Sequence, residues 1–206
     1  EGKEVRERRA RCGGKGRAEL RGPVARRFGT FRGLVRLALS YPEVALGHAA
    51  IVRPHPAGVQ RLVFVCHGNI CRSAFADVLA RRQGLNAISF GLSTSTGLGA
   101  HGPALAAAAA MGVDLAAHRT SRAEDYVLQS GDLLLAMEAS QLRRLKLCAR
   151  FDGLPRTLLG FYARPCTPHL HDPYGLDEAY MATCFGRIAS AVTNLQAAFP
   201  GARAGE

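Results

Sequence analysis

The stretch Val63-Phe64-Val65-Cys66-His67-Gly68-Asn69-Ile70-Cys71-Arg72-Ser73 runs from an apolar segment through a small glycine-centred loop to an arginine. Residues 62–66 form a continuous β-branched and aromatic run rather than an alternating one, which predicts a parallel central strand buried on both faces. Helical spacing takes over directly after the loop. Phe75, Val78 and Leu79 share a face from Ser73 onward, and Gly84 closes the helix as a C-terminal cap. The spacing between Cys66 and Arg72 lets the backbone curl so that its N–H groups, the guanidinium and the thiol face one centre. Such a loop is a cradle for a tetrahedral dianion, favoured further by the positive end of the helix.

Outward from this unit the alternation continues. Residues 87–92 read as a second strand, followed by a Ser/Thr/Gly loop and an alanine-rich helix from Pro103 to Met111 with Gly112 after its end. Ser121, with Glu124 three positions later, is a capping-box pattern that predicts another short helix. Residues 132–136 form a third strand, 138–147 a helix with Leu142 and Leu145 inward, and 157–161 a fourth strand. After a loop holding His169, His171, Asp172, Pro173 and Tyr174, Asp177 and Glu178 announce the last helix. Its stripe Met181, Phe185, Ile188, Val192, Leu195 and Phe199 marks one face as core. Strands and helices in this order predict an α/β fold, a single three-layer α/β/α domain around a parallel sheet. Ligands in such folds bind beyond the carboxyl ends of the strands, which is where Cys66 falls.

At 206 residues and 48% hydrophobic, the chain can bury one ordinary core. Its formal charge of +11 is concentrated at the front, where residues 1–58 hold 13 basic against 5 acidic side chains. Three parts are expected: a basic N-terminal extension over 1–58, largely disordered or forming one amphipathic helix; a domain over 59–200; and a tail over 201–206. Residues 1–27 mix charge with glycine, have no apolar period and read as unstructured. Leu34, Val35, Ala38 and Leu39 then recur at helical spacing until Pro42 interrupts them, a short helix suited to docking on the body or on a membrane. No zinc-knuckle, helix-turn-helix or aromatic-rich signature accompanies the arginines, so no specific nucleic-acid binding is expected. Membrane contact through the basic extension is compatible with its charge and has no other support. Cys12, Cys66, Cys71, Cys148, Cys166 and Cys184 are scattered through a chain that needs no disulfide staples, which predicts a reducing, cytoplasmic setting. No His/Cys cluster has zinc spacing, so no structural metal is expected. No segment reads as a membrane span.

The residue types assign a chemistry. A thiol facing backbone N–H groups, a helix N-terminus and Arg72 is expected to ionise more readily than a free one, and Cys66 is the candidate nucleophile. The planar fork of Arg72 can bind two phosphate oxygens and fits the transition state. Ser73 can donate to the Cys66 sulfur as it leaves, and Asn69 tolerates the left-handed backbone that a tight loop needs. Asp172 is either an ordinary turn residue before Pro173 or a general acid carried over the cleft. His67, His169 and His171 are expected to be solvated at the mouth rather than catalytic.

Taken together, Cys66-His67-Gly68-Asn69-Ile70-Cys71-Arg72-Ser73 after a buried strand and Asp172-Pro173-Tyr174 before the last helix resemble the low-molecular-weight protein tyrosine phosphatases. The resemblance covers roughly residues 60–200 and includes Gly112-Val113-Asp114-Leu115 and His118-Arg119. It implies a flavodoxin-like, four-stranded parallel sheet of order 2-1-3-4, with phosphate held by the loop from His67 to Ser73. It also implies a phosphocysteine on Cys66, Asp172 as acid and base, and no cofactor. Substrates would be phosphotyrosine proteins. Phe90-Gly91-Leu92-Ser93-Thr94 is more similar to the bacterial branch, whose members often act on tyrosine kinases that control polysaccharide export. Cys71 is either a small buried support for the loop or, as in this family, a resolving thiol that forms a reversible disulfide with Cys66.

Two features depart from the family. Ala74 stands where a proline is usual, and residues 92–102 lack the Trp or Tyr that stacks on the substrate ring, which leaves Tyr174 as the remaining wall. Three rivals share the loop. Arsenate reductases need further cysteines near the helix after the third strand, where this chain has Met137-Glu138-Ala139-Ser140, and Cys148 has no close partner. Phosphoarginine phosphatases carry a threonine at the position of Ile70, whose aliphatic side chain favours an aryl phosphate. A non-catalytic phosphate-binding module would need the cradle alone.

Overall fold

A computed structural model describes residues 22–205. Cys12 and the expected unstructured run over 1–21 lie outside the described residues. The helices are α1 (Pro23–Phe28), α2 (Phe31–Ala45), α3 (Arg72–Arg82), α4 (Gly102–Ala110), α5 (Ala139–Lys146) and α6 (Glu178–Ala198). The strands are β1 (Arg61–Cys66), β2 (Ala87–Gly91), β3 (Asp132–Ala136) and β4 (Arg156–Leu158). All strand pairs are parallel, and the sheet order is β2-β1-β3-β4. The reversal of strand order beside β1 puts Cys66 at the switch point of the sheet.

Every residue of β1 is buried, as its unbroken apolar run requires. Leu62, Phe64 and Cys66 face one core layer with Phe75 of α3 and the stripe of α6, while Val63 and Val65 face the other with Phe90, Leu142, Leu145 and Phe151. The rings of Phe75 and Phe185 stack 4.2 Å apart, locking α3 to α6 behind the site. Burying a Phe side chain of this kind stabilises by about 2–3 kcal/mol. The Asp177 carboxylate caps α6 by accepting the Tyr180 N–H at 2.7 Å.

At the opposite, amino-terminal edge of the sheet, Arg61 and Asp132 sit directly across from one another in the β1–β3 register. Arg61 donates to both Asp132 oxygens, at 2.7 and 2.9 Å, and to the Val127 carbonyl at 3.0 Å. The Tyr126 hydroxyl and the Gln129 N–H add further donors to the same carboxylate.

The extension departs from its expectation. Two helices stand where one was expected, and residues 23–27, read as unstructured, begin with a Pro-led turn whose Ala25 is buried. Docking supplies what the composition lacks, since Arg187 of α6 donates to the Arg27 carbonyl and the Tyr41 hydroxyl to that of Cys166. Pro42 does not end α2, which runs on to Ala45. A proline withholds a single N–H, and here it falls in the last turn. Gly33 lets α2 lie directly on the loop before α6, because a Cβ there would stand 2.7 Å from His171 Cδ2 and 2.4 Å from the Phe28 carbonyl.

Two other expectations fail locally. Ser121 opens no helix. Its N–H, the one a capping box would give to Glu124, donates to Asn69 Oδ1, and the next two, of Arg122 and Ala123, donate to Thr96 Oγ1 and the Gly91 carbonyl, so the chain is held extended. The fourth strand is Arg156–Leu158 rather than 157–161, and Leu159–Phe161 turns into a 3-10 helix. A chain crosses closely at Gly160, where the Thr167 carbonyl leaves no room for a Cβ and the Thr167 N–H donates to the Gly160 carbonyl at 2.9 Å in place of a strand partner.

The buried pair at the start of β1 and β3 is testable. Asp132→Ala leaves the Arg61 guanidinium without its carboxylate and should cost about 3–5 kcal/mol in urea denaturation. A loss below about 1 kcal/mol would show that the pair does not hold this edge.

Candidate active site

The loop from His67 to Cys71 is held from behind by Asn69, which adopts φ +54° and is fully buried. Its Nδ2 donates to Ser73 Oγ and to Ser89 Oγ, both at 2.9 Å. Its Oδ1 accepts from the Ser121 N–H, which can only donate and so fixes the orientation of the amide. His118 Nε2 donates to the Asn69 carbonyl at 2.8 Å. The Ser89 hydroxyl in turn donates a hydrogen bond to Asp77 Oδ2 at 2.9 Å, so α3, β2 and the loop are joined by one satisfied network.

The Cys66 sulfur ends up as an acceptor. Ser73 Oγ lies 2.9 Å from it, and since Asn69 already donates to that oxygen, the hydroxyl proton is left to point at sulfur. The Asn69 N–H adds a second donor at 3.2 Å. Among the described residues the loop N–H groups of Gly68, Ile70 and Cys71 have no acceptor. Backbone donors are seldom left unpaired in a protein, and several of them curled around one centre make an anion nest.

Arg72 is 1% exposed. Its Nη1 donates to Glu138 Oε1 at 2.7 Å and to the Leu170 carbonyl at 2.8 Å, and its Nη2 pairs with Asp172 Oδ2 at 2.8 Å. Burial alone would weaken its proton affinity, but the two carboxylates outweigh that and raise it above the ordinary arginine value. Glu138 answers in kind: burial opposes its ionisation, yet the Arg72 guanidinium holds it below the usual carboxylate range. The Nε of Arg72 is buried and unpartnered, a donor left over on the same group.

Cys66, His67, Gly68, Ile70, Cys71, Arg72, Asp172 and Tyr174 line one cavity of about 310 Å³. Asn69 and Ser73 stand behind it, fully buried. All the residues singled out from the sequence therefore converge, although Asp172 comes from a loop a hundred residues beyond Arg72. Tyr174 is 56% exposed and its ring packs against His101, 4.7 Å between centroids, so the loop after β2 supplies an imidazole to this wall. Arg144 of α5 ties that loop down by donating to the Leu92 carbonyl and Ser93 Oγ. Burial pushes the Cys71 thiol, next to the Cys66 sulfur in the same loop, well above its ordinary value.

Sequence reading missed Glu138, Ser89, Asp77 and His118. Glu138 had a signal, since it lies two residues past the end of a buried strand at the carboxyl edge of the sheet. His169 was expected in solvent but is 5% exposed, with its Nε2 unpartnered. Burial pushes it down to about 4, against the pull of Glu138. Among the described residues no cluster of three or more His, Cys, Asp or Glu could hold a metal.

A thiol, a buried guanidinium and a carboxylate set around unspent backbone donors form a site shaped for a tetrahedral anion with a sulfur beneath it. The comparisons agree: a family model described as low molecular weight phosphotyrosine protein phosphatase matches residues 61–202. The chain belongs to that family. It is 31% identical over 90 residues to a probable low molecular weight protein-tyrosine-phosphatase, EpsP, from Ralstonia nicotianae, a match covering 43% of this chain and 62% of that protein. It is 32% identical over 115 residues to the low molecular weight protein-tyrosine-phosphatase Wzb of Escherichia coli K12, covering 55% of this chain and 77% of that one. Among solved structures, the tyrosine phosphatase Wzb from Escherichia coli K30 in complex with sulphate superposes with a TM-score of 0.57 at 26% identity. That superposition covers 66% of this chain and 94% of the other.

The buried histidine makes stability depend on pH. His169 is held neutral in the fold but takes up a proton near 6.5 when unfolded. Its contribution is therefore complete above about pH 6.5 and is lost as pH falls toward about 4, up to about 3 kcal/mol. Urea titrations at several pH values should show this decline in the wild type and a shallower one in His169→Gln; equal slopes would contradict it.

Proposed function

We propose that the protein hydrolyses phosphotyrosine in protein substrates through a covalent phosphocysteine on Cys66. The observation that carries this reading is the convergence of the Cys66 sulfur, the Arg72 fork and the Asp172 carboxylate on one cleft whose backbone donors are unspent. The phosphate sits in the loop from His67 to Ser73, held by loop N–H groups and by Arg72. The Cys66 thiolate attacks phosphorus in line, and Asp172 gives its proton to the departing phenolic oxygen. In the second step Asp172 takes a proton from water, the oxygen attacks phosphorus, and the thiolate leaves with the Ser73 hydroxyl bonded to it. Arg72 and the loop amides favour the trigonal-bipyramidal oxygens over the ground state, which is the source of rate enhancement. No metal or cofactor enters the scheme.

Ile70 and Tyr174 line the mouth, and His101, whose ring packs on Tyr174 and whose backbone N–H donates to the Ile70 carbonyl, joins them into a wall suited to an aryl ring. The substrate we favour is a bacterial tyrosine kinase, met in the cytoplasm. No helix among the described residues is long and apolar enough to cross a membrane. The test is turnover on phosphotyrosine, phosphoserine and phosphoarginine peptides together with p-nitrophenyl phosphate. Phosphotyrosine and the aryl phosphate should be hydrolysed, Cys66→Ser should be inactive, and Asp172→Ala should lose about 10²–10⁴ in kcat. Preferential cleavage of phosphoarginine would place the chain in the other branch of this fold.

Cys71 completes the scheme as a protecting thiol. When peroxide converts Cys66 to a sulfenic acid, the Cys71 thiol condenses with it, forming the disulfide and releasing water. Peroxide-treated wild type should recover with dithiothreitol while Cys71→Ser does not; equal recovery in the two would leave Cys71 as a packing residue.

A further inference from the structure

The small cleft over Cys66 does not end at Tyr174. Asp172 and Tyr174 also line a second cavity of about 600 Å³ whose far wall is α2, through Thr30, Arg32 and Arg36. Arg32, Arg36, Glu138 and Ser140 then continue into a third space of about 400 Å³ between α2 and α5, where Val35 and Leu39 form an apolar side. The three spaces make one groove leading away from the reacting atoms.

The charges in this groove do not balance. Glu138 and Asp172 are committed to Arg72, and Glu43 is committed to Arg143 of α5. Arg32 and Arg36, one turn apart on the same face of α2, are exposed and have no ion pair or side-chain hydrogen bond among the described residues. Their helix is seated rather than loose: Thr30 Oγ1 meets His171 Nε2 at 3.1 Å, and Gly33 brings the backbone against the same imidazole. Two unpaired guanidiniums are thus held on a docked helix beside the residue that would protonate the leaving group.

We propose that Arg32 and Arg36 form a subsite for acidic side chains flanking the phosphotyrosine of a polypeptide substrate, so that the N-terminal extension sets specificity for the cleft. This rests on the phosphatase reading above and adds the chemistry of the residues around the phosphorylated one. A planar fork suits carboxylate recognition, and its surplus positive charge steers an acidic segment toward the cleft. The apolar side at Val35 and Leu39 accommodates an aliphatic residue beyond the acidic one.

Binding tests it independently of turnover. Fluorescent phosphotyrosine peptides flanked by glutamate or by alanine are titrated with Cys66→Ser protein by anisotropy. The glutamate-flanked peptide should bind about tenfold more tightly, as expected for two partly screened charge pairs. Arg32→Glu with Arg36→Glu should erase that preference, while lysine at both positions retains most of it. Equal affinities for the two peptides, or a preference that survives charge reversal, overturn the proposal. Sedimentation with phosphatidylserine vesicles is run in parallel: if charge reversal abolishes vesicle binding and leaves the peptide preference intact, the face belongs to lipid and the proposal fails. Turnover of p-nitrophenyl phosphate by the chain with Cys66 intact judges the phosphatase reading separately, whatever the peptides show.

Discussion

A guanidinium buried to 1% exposure is the constraint on which this architecture depends. Removing such a charge from water costs several kcal/mol unless counter-charges and acceptors surround it. Arg72 has these from three places: Glu138 at the end of β3, the Leu170 carbonyl, and Asp172 in the loop before α6. One cation therefore gathers the carboxyl edge of the sheet and the last loop of the chain around β1. Two of its five N–H donors must still serve a ligand if a phosphate is to be gripped, and the unpartnered Nε is the visible remainder.

The second constraint is conformational. A loop that turns its N–H groups inward cannot also use them to hold itself together, so its rigidity has to come from elsewhere. Asn69 provides it, spending both amide protons and its carbonyl oxygen on Ser73, Ser89 and Ser121. The left-handed backbone at this position is one that asparagine accepts more readily than other side chains. Stiffness located behind the loop leaves its front face free for an anion.

What could be read from the sequence follows physical range. β1, the helix from Arg72 and the α6 stripe were legible because local periodicity and burial agree there, and Cys66 and Arg72 lie within one contiguous loop. Asp172 was ambiguous on spacing and became legible through the family pattern. The Ser121 capping box misled because its donors are taken by partners from Asn69 and Thr96, which no local window contains. The fourth strand was misplaced for a similar reason, a chain crossing at Gly160. His169 looked like a solvated loop residue and is buried by tertiary packing that no local window contains. Charge composition suggested an unstructured run through residue 27, and contacts of α1 with α6 override it for residues 23–27.

Thr30 ties the start of α2 to the loop that carries Asp172. Its hydroxyl caps α2 by accepting the Gly33 N–H and also meets the ring of His171, the neighbour of Asp172. A shared contact of this kind works in both directions with equal strength. If filling the cradle firms the loop of Asp172, then linkage requires that whatever holds α2 in place favours a filled cradle by the same factor. The N-terminal helices are in that sense a handle on the cleft, attached outside the segment that the family shares.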